Sequence, residues 1–318
     1  MTDKMKKISI TMISIIVAIV VPLLVTDNYN RGIFIMALIN IIVVLGLNFI
    51  TGLTGQMNLG TAGIFAVGAY TTALLTTKLG ISPWLTIIAS IIMGVVIGVG
   101  LGFPSLRIQG VYLALTTIGF GEIVRILISN AKFTNGIMGI RNIPSFSIGN
   151  FVIKNKLYVY YLFLIFVIIM ALIAYRITYS KWGRLFKAIR DNYEAVQACG
   201  IDIAKPKIMA FTLAAIYGCV AGSLYAVHME FITPSVFTFD LSTTFIVMMM
   251  LGGIGSVPGG ILGAIVCTIL PEKLRFLGNW YWIVFSIIVL LIILFRPNGV
   301  ISFFNQKKVT KKGEKING

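Results

Sequence analysis

Charged side chains are scarce in this sequence. Asp, Glu, Lys and Arg make up 11% of its 318 residues, against about a quarter in soluble domains. The shortage is sharper for acids, since 10 Asp and Glu stand against 26 Lys and Arg. Histidine occurs once, as His228, and cysteine three times, as Cys199, Cys219 and Cys267. No CxxC pair occurs and no His/Cys cluster has metal-ligand spacing, so neither a metal centre nor a disulfide framework is expected. A GxxxxGK(S/T) phosphate loop is missing, which excludes ATP binding through that motif. HExxH and GxSxG are missing too, and one histidine leaves little for acid–base work. The sequence is therefore read as having no catalytic residues and no cofactor.

What is abundant is apolar: 58% of the residues, with a mean hydropathy of +0.97. This composition predicts an all-α integral membrane protein, a polytopic bundle of about 8–10 transmembrane helices with broken or re-entrant segments. Apolar segments long enough to cross a bilayer lie at 8–25, 32–50, 56–77, 83–103, 110–130, 157–175, 208–228, 241–257, 259–274 and 280–296. The basic run before residue 8 and the length of the first segment make it a retained span rather than a cleaved signal. The net charge of +16 would suit nucleic acid, but the bases crowd the termini and loops, as in membrane proteins. No nucleic-acid partner is expected; the bilayer is. Ten crossings put both termini and loop 176–207 in the cytoplasm, together with the basic tail 305–318.

Two glycine-rich segments correspond at an offset of 200. Gly52, Gly55, Gly60 and Gly63 match Gly252, Gly255, Gly260 and Gly263. Glycine-interrupted apolar segments at matching places in two halves point to discontinuous helices around a midplane pathway. Gly55, Gln56, Asn58, Gly60, Gly252, Gly253, Gly255 and Gly260 are its candidate residues; the alternative is that these glycines only let helices pack closely. Glu122 and Arg125 fall inside one span at a spacing that puts them on one face, as an intramembrane ion pair. That pair reads as a structural clamp, or as part of a gate or of the pathway itself. His228 reads as a boundary residue, and Asp240 as the cap of the helix that follows it.

Residues 180–200, SKWGRLFKAIRDNYEAVQACG, form the longest charged stretch with helical character. Leu185, Phe186, Ile189, Tyr193 and Val196 recur at helical spacing and give it one apolar face. Asp191 followed by Glu194 is a capping-box pattern, and Gly200 suits the left-handed residue that closes a helix. A short helix is expected from Asn192 to Cys199. It is either a docking surface for a cytoplasmic partner or an amphipathic loop resting on lipid headgroups.

The stretches GLTGQMNLGTAGIFAVGAYTTALL, PSLRIQGVYLALTTIGFGEIVR, TNGIMGI, WGRLFKAIRDNYEAVQACGI, LGGIGSVPGGILGA and FRPNG occur in order over roughly residues 45–300. In these the chain resembles permease subunits of bacterial branched-chain amino-acid ABC importers, most closely the M-type subunit. The resemblance implies a permease domain over 1–304 in the cytoplasmic membrane. It also implies a second, sister permease, two cytoplasmic ATPases and an external substrate-binding protein. Permeases of such importers carry an E-A-A-x3-G core that inserts into the ATPase. Glu194, Ala195 and Gly200 fit it, with Val196 in place of the second alanine, and the downstream I-x-L-P is not found. The resemblance thus makes 176–207 a coupling loop, with Arg190, Asp191, Glu194, Ala195 and Gly200 as coupling residues. A urea or amide permease of the same family, and an ion-coupled secondary transporter, are the alternatives.

Overall fold

Helix α1 (Asn28–Leu47) begins at Asp27, whose carboxylate accepts from the Tyr29 amide, and runs on as a wider π-turn, Asn48–Leu53. The computed structural model describes residues 18–20, 22, 23, 25, 27–148, 151–153, 155–295 and 299. The expected span 8–25 lies mostly, and the tail 305–318 wholly, outside the described residues.

After a non-helical stretch come α2 (Thr61–Leu79), α3 (Pro83–Gly102), the single turn α4 (Pro104–Arg107) and α5 (Val111–Asn130). A loop with a two-stranded ribbon, β1 (Ser147–Ile148) against β2 (Phe151–Val152), leads to α6 (Lys156–Thr178). The short helices α7 (Lys181–Asp191) and α8 (Tyr193–Ala198) precede α9 (Ala204–Met229). The chain finishes with α10 (Phe239–Gly252), α11 (Val257–Leu274) and α12 (Tyr281–Phe295). Six helices among the described residues are long and apolar enough to cross a membrane: Asn28–Leu53, Pro83–Arg107, Val111–Asn130, Lys156–Thr178, Ala204–Met229 and Val257–Gly278. This is the expected all-α polytopic architecture.

The bundle is built around α9, which packs along α3, α2 and α1. Small residues make this possible. A Cβ on Gly68 would run into the backbone of Cys219, one on Gly94 into Ile216 and one on Gly222 into Phe65. Lipid is as apolar as leucine, so helix association in a bilayer rests on such close backbone approach and on interhelical hydrogen bonds. Several of those bonds are present. Asn40 Nδ2 donates to Thr268 Oγ1 at 2.9 Å, Thr72 Oγ1 to Ser223 Oγ at 2.7 Å and the Tyr217 hydroxyl to the Met170 carbonyl at 2.8 Å.

Both glycine-rich segments interrupt helices, as expected. Residues 54–60 are non-helical, so α2 starts at Thr61 rather than near 56. Gly253 (φ +118°) and Gly255 (φ +80°) form the tight turn between α10 and α11 in the left-handed region that glycine tolerates. The two breaks meet at one end, beside Arg190, but only the first reaches into the bundle. Ile64 lies against Gly218, roughly 21 Å along a helix of roughly 39 Å at 1.5 Å per residue, so α2 begins near mid-depth. The turn 253–256 instead lies at the end of the bundle that carries α7 and α8. Residue 240 is also placed differently: α10 takes Thr238 as its N-cap, and Asp240 lies inside the first turn.

Candidate functional site

The stretch 180–200 is two helices joined by an elbow. Ser180 Oγ accepts from the amides of Trp182 (3.1 Å) and Gly183 (3.4 Å) and so starts α7. Phe186 and Ile189 bury the apolar stripe of α7 against the bundle. Asn192 is extended (φ −160°, ψ 100°) and its Oδ1 accepts from the Ala195 amide at 2.9 Å, which makes it the N-cap of α8. The expected Asp191–Glu194 capping box does not form. Asp191 is held in the last turn of α7, and Glu194 instead accepts from the Tyr193 hydroxyl at 3.2 Å. That bond raises the Tyr193 phenol above its ordinary value. Gly200 is left-handed (φ +76°) and follows the end of α8, as its position suggested. Asp191, Glu194 and Ala195 are exposed, while Val196 is buried.

Arg190 turns the other way. Its Nη1 donates to the Gly52 carbonyl at 2.8 Å, in the last turn before the first break. A Cβ on Gly55 (φ +70°) would lie 2.9 Å from Arg190 Cγ, so the arginine stem occupies the space a side chain there would need. Buried Asn48, in the same π-turn, accepts from the Gly255 amide at 2.9 Å through Oδ1. Arg190, Gly52, Asn48 and Gly255 thus form one joint at which the elbow, the first break and the second break meet. Chemically it is a backbone carbonyl and a backbone amide, each freed by a helix interruption and each taken up by a side chain.

Above the joint, residues 54–61 climb toward mid-depth. Asn58 Oδ1 accepts from the Gly60 amide (2.9 Å), Thr117 Oγ1 from the Leu59 amide (3.0 Å) and Ser242 Oγ from the Ala62 amide (2.9 Å). The side-chain amide of Gln56, Asn58 Nδ2 and Thr61 Oγ1 are shielded from solvent and have no hydrogen-bond partner among the described residues. Irregular backbone at such depth is tolerated where protein or a water-filled cavity satisfies it, and these groups provide polar sites for water or a solute. Of the second segment, Gly252 and Gly253 close the α10–α11 turn against Gly259, and Gly260 abuts Val44. Those glycines serve close packing.

Glu122 and Arg125 are brought together on α5. Arg125 Nε donates to Glu122 Oε2 at 3.0 Å, and Nη2 bonds Oε1 of the same carboxylate. Among the described residues no group of three His, Cys, Asp or Glu is placed to hold a metal. Sequence reasoning missed Asn48, Thr117 and Ser242. Asn48 had a signal, an amide late in an otherwise apolar run; the two hydroxyls had none.

A family model described as branched-chain amino acid transport system / permease component matches residues 30–294. The chain belongs to this family. It is 30% identical to the high-affinity branched-chain amino acid transport system permease protein LivM of Salmonella typhimurium, covering 94% of this chain and 76% of that one. To LivM of Escherichia coli K12 it is 32% identical, over 87% of this chain and 71% of that one. A probable branched-chain amino acid transport permease LivM of Methanocaldococcus jannaschii is 27% identical, over 76% and 77%. No solved structure matches the chain. Family membership and the six candidate spans make it a multi-pass membrane protein of the permease class.

Proposed function

We propose that this chain is the membrane-spanning permease subunit of an ATP-driven importer of branched-chain amino acids. Its partners are a sister permease, two ATPases on the elbow side and a substrate-binding protein on the other side. Both termini and the elbow are cytoplasmic. Support for the cargo comes from relatives that carry that activity in their names, and for an external motor from the missing phosphate loop. A urea or amide cargo is the alternative within the family.

The observation that carries the mechanism is the 2.8 Å bond from Arg190 to the Gly52 carbonyl. Exposed Asp191, Glu194 and Ala195 face outward for the ATPase, while the residue next to them grips the broken helix. ATP binding draws the two ATPases together, moves the elbow, and withdraws or re-aims Arg190. The Gly52 carbonyl is then released, and residues 54–61 change their path. The ATPase shifts this equilibrium only by its differential affinity for the two positions of the elbow.

An Arg190→Ala variant in the assembled complex tests the reading. ATP hydrolysis is expected to continue while uptake falls by about tenfold or more, the scale of one lost charged hydrogen bond. Wild-type uptake per ATP hydrolysed would remove Arg190 from the coupling path. The ion-coupled alternative is separated by ionophores, which abolish uptake only if an ion gradient drives it.

A further inference from the structure

One face of α5 remains unexplained by the joint. The opposite face, with Leu113, Ala114 and Thr117, is buried, and Gly121 packs on Gly60 and Gly63 at the first break. Only 28% of the apolar stretch of α5 is buried among the described residues, against 83% for that of α1 with its π-turn. On the open side stand Leu115 (58% exposed), Gly119, Glu122 and Ile126 (47% exposed), spaced three or four apart and so aligned. The Glu122 and Arg125 side chains are 44% and 32% exposed. They are the twelfth and fifteenth residues of a 20-residue helix, roughly 18 and 22 Å along a length of roughly 30 Å.

An ion pair at that depth is too costly to face lipid tails; such groups face a bundle interior or a water-filled path. The pair is also incompletely used. Arg125 Nε and Nη2 bind Glu122, whereas Nη1 makes no hydrogen bond among the described residues. Its N–H groups, side by side with a carboxylate, present a cation and an anion a few ångströms apart. An α-amino acid presents the reverse pattern, a carboxylate beside an ammonium. One turn earlier, a Cβ on Gly119 would meet nothing within 4 Å. This leaves an apolar notch between Leu115 and the pair.

We propose that this face of α5 lines the translocation path and recognises the cargo's zwitterionic head. Arg125 Nη1 donates to the carboxylate, Glu122 accepts from the ammonium, and the notch at Gly119 receives the aliphatic side chain. The sister permease closes the opposite wall and keeps lipid away. The pair opens to the substrate and closes on itself afterwards, so neither charge is left bare in the membrane. This inference rests on the amino-acid reading of the cargo given above.

The test is leucine and valine uptake by the complete complex in proteoliposomes, per assembled complex as measured by co-purification. E122Q/R125Q keeps a hydrogen-bonded pair without charge. It is expected to lower leucine uptake by at least about tenfold, the loss of one charged hydrogen bond. Gly119→Leu fills the notch and leaves the pair in place. It is expected to shift the leucine-to-valine uptake ratio about fivefold toward valine, the scale of one methylene in an apolar pocket. Uptake by E122Q/R125Q within twofold of wild type overturns the proposal. So does loss of assembly in that variant combined with an unchanged leucine-to-valine ratio in Gly119→Leu, which makes the pair a clamp. A wild-type complex that imports no leucine defeats the cargo reading itself, and is thereby distinct from a failure of the α5 site alone.

Discussion

Asn48 carries more than its size suggests. It is 2% exposed, and its one acceptor holds the Gly255 amide, 207 residues away in sequence. Without it, a donor in the α10–α11 turn is left buried and unmatched. An Asn48→Leu substitution is therefore expected to destabilise the chain by about 1–3 kcal/mol, the desolvation cost of one orphaned group. The thermal midpoint in detergent checks this; an unchanged midpoint would mean that the two breaks are held together by something else. Arg190 is a different case. Like its neighbours along α7 at helical spacing, Lys187 and Arg184, it is an exposed residue, but Arg190 alone among the three donates to a broken helix. The periodic pattern of bases reads as one solvated face, and nothing in that pattern marks which base binds the Gly52 carbonyl.

The elbow and the first break depend on their local chemistry in unequal ways. A Glu194→Lys change alters an exposed residue whose hydrogen bond is to neighbouring Tyr193, so folding is expected to survive. Uptake is expected to stop and ATP hydrolysis to lose its response to loaded binding protein; normal values for both would remove Glu194 from the docking surface. Gly60→Leu acts on the fold itself. A Cβ there would strike the Thr117 backbone, so α2 and α5 must separate. Overpacking of this kind costs about 1–3 kcal/mol. The variant is expected to insert into membranes yet lose uptake, and a wild-type melting midpoint with normal transport would contradict the packing described.

Much of this architecture was legible beforehand, because apolar run length and glycine interruption act locally. The spans, the split of 241–274 and the left-handed Gly200 all follow from such local rules. The start of α8 was misread for a local reason too. Two acceptors, Asp191 and Asn192, compete for the cap, and the one that leaves α7 intact wins. What was not legible is long-range: which turns of the two breaks meet, and that Asn48 and Arg190 fill the groups they expose. A glycine repeat marks where a helix stops, but the position of the turn 253–256 at the elbow end, rather than at midplane, is set by how α10 and α11 pack.

At the scale of the whole molecule, α9 and α1 form a buried centre, and α5 and α6 present open faces. The charged elbow sits where the two broken segments converge. A chain so arranged suits the proposed path and handle, and its sequence carries no GxxxxGK(S/T) phosphate loop. The decisive measurement is uphill leucine uptake into vesicles holding the assembled complex, with ATP supplied on the elbow side and all ion gradients collapsed. Accumulation that requires ATP and disappears with Arg190→Ala is the expected result. Leucine concentrated by this chain alone, on an ion gradient and without ATP, would contradict it.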